Sequence, residues 1–122
     1  MVNTLVTHDE LLRAAATAAL EGKLVGFVSH RETLNGFAVK AVADLIGIEN
    51  CARITNSVSR RSIETVSGGR IHFLHASMTG GRGLSVELLC LQGANHFSED
   101  VMSSLIWTTT AHSAPILETE EP

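Results

Sequence analysis

The sequence predicts a three-layer α/β domain, with a mostly parallel central sheet and an added antiparallel hairpin. Three observations lead there. Amphipathic helical stretches alternate with short β-prone runs; two of those runs, Leu24 to Val28 and Val86 to Leu91, lack polar alternation and suit strands buried on both faces; and Ser67-Gly68-Gly69 is a hairpin turn signal between two further β-prone runs. At 122 residues, 44% apolar and 18% charged, the chain lies in the range of one globular domain that buries about two-thirds of its unfolded surface. Residues 1–117 are assigned to that domain and 118–122 to an acidic C-terminal tail.

Val2 to Val6 is a short β-prone run. Thr7-His8-Asp9-Glu10 has capping-box spacing, so a helix is expected over 8–21, with Leu11, Leu12, Ala15, Ala16, Ala19 and Leu20 at helical period and Gly22 as its stop. Leu24 to Val28 follows as a buried strand. Ser29-His30-Arg31-Glu32 repeats the capping-box pattern and opens a helix over 32–46 that ends at Gly47, with Asn35-Gly36 a local irregularity. Ile54 and Val58, Ile63 and Val66, then Ile71, Phe73 and Leu74 mark antiparallel strands. Thr79-Gly80-Gly81-Arg82-Gly83 is expected to be a loop, because three glycines make regular structure costly. After the strand from Val86 to Leu91, Ser98 caps a helix running to Leu105, Ile106 to Ala111 reads as a final strand, and Glu118 to Pro122 as a polar end.

The net charge of −4 is unevenly spread: residues 1–50 carry −2, residues 51–86 carry +4 from five arginines against Glu64, and residues 87–122 carry −6 with no base. A basic middle suits phosphate or an acidic partner, whereas an acidic end repels nucleic acid and competes for the same arginines. No apolar run approaches the roughly 20 residues that cross a bilayer, and the N-terminus lacks the basic and apolar regions of a secretory leader. A cytoplasmic protein without membrane contact is therefore expected. Cys51 and Cys90 lack CxxC spacing and read as reduced core residues.

The stretch GRIHFLHASMTGGRGLSVELLCLQGANHFSEDVMSSLIWTTTAHSAPIL, Gly69 to Leu117, resembles part of the ATPase core of phage terminase large subunits: a hairpin, an Arg-Gly loop, the acidic Walker B strand and the motif after it. In that family the strand ends in an Asp-Glu pair followed by Ala, a short polar link and a helix. Here LLCLQGANHFSEDVMSSL has that shape, with Gln92 and Gly93 in the acidic places. Arg82-Gly83 matches the preceding loop, and Thr108, Thr109 and Thr110 lie where the family has a Thr/Ser-rich coupling motif. GKLVGFVSHRETLNGFAVKAVADLI is similar to the strand and helix after the phosphate loop, so the likeness covers about residues 22–117. It implies a P-loop NTPase-like fold of the RecA class, degenerate and truncated.

The departures bear on chemistry. Hydrolysis of this type needs a glycine-rich phosphate loop, a Lys on the β/γ oxygens, a Ser/Thr and an Asp for magnesium, and a carboxylate that positions water. No GxxxxGKS/T occurs, Lys23 and Lys40 lie elsewhere, and Thr7 to Asp9 occupy the join where the loop belongs. Gln92 cannot balance a divalent cation and Gly93 has no side chain to orient water. The resemblance, less these groups, implies a catalytically inactive terminase-like phage or prophage protein, without cofactor or metal, that binds a host or phage protein or a second copy of itself in DNA metabolism.

Two alternatives stay open. One is a DNA-associated factor contacting phosphate through Arg53, Arg60, Arg61, Arg70 and Arg82, although Phe27, Phe37, Phe73, Phe97 and Trp107 fall in core-like segments and leave no stacking platform. The other is an ATPase subunit completed in trans. His30, His96 and His112 each follow an expected strand end, where doubly wound folds collect ligands; with Asp100 they form a candidate acid/base or metal cluster. His72 and His75 sit three apart on a strand and point to opposite faces. Ser29, Ser77 and Ser98 lack a nucleophile elbow.

Overall fold

The computed structural model describes residues 3–58, 60–76 and 84–122, so the Thr79–Gly83 loop, Arg82 included, lies outside the described residues. In chain order the elements are β1 (Thr4–Leu5), α1 (His8–Leu20), β2 (Leu24–Ser29), α2 (Glu32–Ile46), β3 (Cys51–Ser57), β4 (Arg60–Thr65), β5 (Arg70–His75), β6 (Leu88–Gln92), α3 (Glu99–Ile106) and β7 (Ile116–Glu118), with short 3-10 turns at Ile48–Asn50, Ala94–His96 and Trp107–Thr109.

The strands form one seven-stranded sheet in the order β1-β7-β6-β2-β5-β4-β3. Pairs from β1 through β5 are parallel, whereas β4 pairs antiparallel with both β5 and β3. The hairpin is thus an extension of the parallel core through β5, which belongs to both parts. The unalternating run at β6 is explained by burial on two sides. Leu88 and Cys90 join Val25, Phe27, Ile63, Ile71 and Phe73 beneath α1 and α2, while Leu89 and Leu91 join Val28, Leu105 and Ile116 on the α3 side. Phe27 and Phe73, cross-strand partners, stack obliquely at 5.3 Å within the first cluster.

The first capping box forms as its sequence predicts. Glu10 N–H donates to Thr7 Oγ1 at 3.1 Å and Thr7 N–H to Glu10 Oε1 at 3.0 Å. The Thr7 N–H on its carboxylate, and after it the Thr7 hydroxyl, hold the Glu10 carboxyl below its ordinary value. A depressed carboxyl supports the fold above the unfolded carboxylate range and loses that support as acidification passes the folded value. Thr7→Ala is expected to lower stability by about 1 kcal/mol at neutral pH, read as a shift in urea midpoint at constant slope.

The second box does not form. Arg31 is the N-cap of α2 and makes no side-chain cap, because Ser29 ends β2 fully buried with its hydroxyl turned into the sheet. The strand expected over Ile106 to Ala111 is also absent. Thr108, Thr109 and Thr110 donate their hydroxyls to the carbonyls of Leu105, Ile106 and Trp107 at 2.6, 2.7 and 3.0 Å, continuing α3 as a 3-10 turn. Local hydroxyl bonds thus outweigh the β preference of a Thr run. The last strand is β7 instead, and it takes in Glu118 from the segment read as tail.

Two aromatics expected in the core are outside it: Phe37 is 70% and Trp107 75% exposed. Asn35, Ala38, Val39, Val42 and Ile46 supply the buried face of α2, which turns Phe37 away.

Candidate functional site

Because β2, β6 and β7 run parallel, their C-terminal ends share one edge of the sheet, and α1 begins there after β1. Only Val6 and Thr7 lie between β1 and α1, a direct strand-to-helix step. At this edge Ser29 Oγ donates to Gln92 Oε1 at 2.9 Å, both residues being buried. Gln92 Nε2 lies 3.3 Å from His8 Nδ1, and that ring nitrogen lies 3.4 Å from Glu121 Oε1. A continuous polar chain therefore links the ends of β2 and β6, the first turn of α1 and the C-terminal segment. Replacing either member of the buried Ser29–Gln92 pair alone would strand the other, at a cost of about 1–3 kcal/mol.

Residues 119–122 run along this edge. Thr119, 2% exposed, extends the β6–β7 pairing with its N–H on Leu91 O at 2.9 Å and accepts Ala94 N–H at 3.0 Å, while its hydroxyl accepts Gly93 N–H at 3.0 Å. Asn95 and Glu121 exchange two bonds, Glu121 N–H to Asn95 Oδ1 and Asn95 Nδ2 to Glu121 O, each 2.9 Å. His96 Nε2 approaches the carbonyls of Glu121 and Pro122 at 2.9 and 3.2 Å. Glu118 to Pro122 is packed against the domain here because its backbone and Thr119 satisfy groups that the strand ends leave open.

Gly93 occupies the left-handed region at φ 75°, and a Cβ on it would lie 2.1 Å from His30 Nδ1. His30 covers Gly93 and stacks on His96 with ring centroids 4.4 Å apart. Two of the three expected strand-end histidines therefore come together. His112 does not join them, since it precedes β7 in the turn after Thr109 and so lies toward the opposite edge of a parallel sheet. Thr108 to Thr110 likewise precede β7, whereas Thr119, just after β7, lies at the strand-end edge. Asp100 stands in the first turn of α3, and among the described residues no three His, Cys, Asp or Glu are grouped to hold a metal ion.

The arginines separate by role. Arg61 pairs with Glu32 and donates to Asn56 Oδ1 at 2.8 Å; Arg70 pairs with Glu64; Arg53 and Arg60 have no carboxylate partner among the described residues. All four line a cleft of about 360 Å³ beside the hairpin, with Ser62, His72 and Asn35. Burial, then the Arg70 charge, hold His72 below its ordinary value. Burial raises both thiols, that of the fully buried Cys90 far more than that of Cys51, which is half-buried rather than in the core and is also raised by the Glu49 charge.

Sequence reasoning missed His8, Asn95, Thr119 and Glu121 at the strand-end edge and Asn35 in the cleft. Thr119 had one faint signal, its place after the apolar pair Ile116-Leu117.

No protein-family model matches the chain, and no curated protein matches it in sequence. Solved structures do match in fold. The large terminase ATPase domain of Thermus phage P74-26 superposes with a TM-score of 0.70 at 14% identity, over 99% of this chain and 59% of that one. The large terminase of a thermophilic bacteriophage gives 0.71 at 6% identity, over 98% and 34%. The large terminase of bacteriophage HK97 gives 0.70 at 13% identity, over 98% and 28%. The chain has the terminase ATPase-domain fold and spans less than two thirds of the length of each of these neighbours.

Proposed function

We propose that this chain is a binding module on a terminase ATPase-like fold, one that does not turn over nucleotide because its strand-end edge is closed by its own residues. The observation that carries this reading is the junction of β1 and α1. Val6 and Thr7 alone make the connection, Thr7 Oγ1 already takes the Glu10 amide, and Asp9 and Glu10 supply the negative charge that a phosphate would otherwise bring to the helix start. Gln92, engaged with Ser29 and His8, brings no charge to balance a divalent cation.

The partner in this reading is a second copy of the chain, in a phage or prophage setting suggested by the bacteriophage origin of the structural neighbours. Its support is the seven-residue strand β3 at the sheet edge, with Phe37, Ile48 and Val58, 70%, 74% and 77% exposed, on the elements adjoining it. Antiparallel pairing of two β3 strands about Ile54 would continue the sheet across a two-fold axis. Purified protein is expected to show no ATP turnover above buffer, and light scattering to give twice the chain mass, reverting to monomer with Ile54→Lys. Turnover that Gln92→Ala abolishes would overturn the first half, and a monomer at every concentration the second.

DNA contact through the arginines has one observation in its favour, the two side chains Arg53 and Arg60 that have no carboxylate partner among the described residues. Two phosphate contacts give a salt slope of about −1.8, against about −5 to −9 for six to ten contacts, so these residues alone make a weak duplex binder.

A further inference from the structure

The hairpin has one covered face and one bare one. Ile54, Ile63 and Ile71 stand side by side in register, and Ile63, Ile71 and Phe73 pack beneath α1 and α2. Alternation then turns Arg53 and Thr55 of β3, Arg60 and Ser62 of β4, and His72 of β5 to the other face. The helix on that side is α3, whose Leu105 packs with Val28, Leu89, Leu91 and Ile116, and it has no substantial contact with β3, β4 or β5. Among the described residues, therefore, no helix covers these five side chains, and all of them line the cleft.

Register also fixes how far apart they stand. Thr55, Ser62 and His72 form one row across the three strands, and Arg53, Glu64 and Arg70 form the next. Arg60, opposite Ser57, lies on the far side of the Thr55 row, past the point where the β4–β5 ladder stops at Ser62 and His72. Arg70 pairs with Glu64, and Arg61, on the covered face, pairs with Glu32. Arg53 and Arg60 have no carboxylate partner among the described residues, so two positive charges are left at opposite ends of the cleft, their roots about 13 Å apart along the strands. The row between them is uncommitted as well. The Thr55 and Ser62 hydroxyls make no hydrogen bond among the described residues and are open to the cleft, unlike Asn35 Oδ1, which is shut off from solvent and takes no part.

We propose that this bare face binds a small dicarboxylate, one carboxylate on the Arg53 fork and the other on the Arg60 fork, with the Thr55 and Ser62 hydroxyls donating to the oxygens turned inward between them. An arginine fork matches a planar carboxylate with two parallel bonds. Like charges repel, so two guanidinium groups with separate roots stay over their own rows more readily than they close on one compact anion. A two-ended dianion neutralises each of them where it stands. The volume, about 360 Å³, is that of a small-molecule site rather than a macromolecular groove. The site stands on the hairpin side of β2, away from Gln92 and Gly93, and does not depend on whether the strand-end edge is closed.

The test is calorimetric titration of the full chain at low ionic strength with straight-chain diacids from succinate to pimelate, with propionate as the one-headed control and inorganic phosphate as the compact dianion. Affinity is expected to peak within the diacid series, at least about tenfold above propionate, because the second carboxylate binds as a tethered group. Arg53→Ala and Arg60→Ala, both at exposed positions, are each expected to bring the best diacid down to the affinity of propionate without moving the melting temperature. Lys40→Ala removes one positive charge from the exposed side of α2, across the sheet, and is expected to leave every affinity unchanged. Amide shifts on adding the best diacid are expected at Arg53, Thr55, Arg60 and Ser62. No heat and no such shifts with any diacid overturns the proposal, as does a diacid series no tighter than propionate, phosphate tighter than every diacid, or Lys40→Ala as damaging as Arg60→Ala.

Discussion

Gly93→Asp, the change that places an acid just after β6, is expected to destabilise the fold by about 2–5 kcal/mol. The backbone contribution is the smaller, since Asp is among the residues that tolerate the left-handed region. The steric one is larger, because the new Cβ would sit 2.1 Å from His30 Nδ1 and 2.7 Å from its Cε1. The ring would have to swing out, giving up its stack on His96 at 4.4 Å and its 3.4 Å approach to Gln92 O. Urea unfolding of Gly93→Asp, His30→Ala and the double variant measures this. The double variant is expected to recover the steric share, with a coupling of about 1–3 kcal/mol. Wild-type stability in the single variant would mean that the glycine is there for some reason other than His30.

Gly69→Ala is expected to cost about 3 kcal/mol, the upper end of the usual overpacking range. Its Cβ would lie 1.9 Å from Ala19 O, and 2.7 and 2.8 Å from Ala19 C and Cα, all main-chain atoms at the end of α1 that cannot rotate aside. The hairpin turn is pinned there by its own bonds. Thr65 and Ser67 hydroxyls donate to Ala19 O at 2.9 and 3.2 Å, and Gly69 N–H donates to Thr65 Oγ1 at 2.8 Å. Gly68 is the control. It has φ 93° and nothing within 4 Å of an added Cβ, so Gly68→Ala carries only the backbone strain of about 1–2 kcal/mol. Thermal unfolding of the two variants side by side distinguishes them, and equal effects would show that the approach to α1 relaxes cheaply.

The same two glycines show where reading residues in order stops. Ser67-Gly68-Gly69 is legible as a turn because glycine at positive φ is a local property, and Gly68 has it. Gly69 looks the same in sequence, but its reason is α1, about fifty residues earlier in the chain. Gln92-Gly93 is a similar case. That neither Gln92 nor Gly93 is an acid is visible in the sequence, whereas His30 over Gly93, Ser29 bonded to Gln92 and Thr119 on the Gly93 amide come from the ends of β2 and β7, placed beside β6 only by the sheet. Thr108 to Thr110 misled because β-branched residues favour strands on average, while here a hydroxyl bond three residues back was available to each.

The sequence by itself determined the α/β class, the Thr7 cap, the bounds of α2 at 32–46, the buried strands β2 and β6 and the hairpin turn. These depend on period, caps and turn chemistry, which act over a few residues. Only the tertiary structure decided that β7 is Ile116–Glu118, that Thr119 to Pro122 line the strand-end edge, and that four arginines and a buried Asn35 share a cleft. Each of those is a meeting of segments far apart in the chain, fixed by the order of strands in the sheet and by polar groups that burial obliges to find partners.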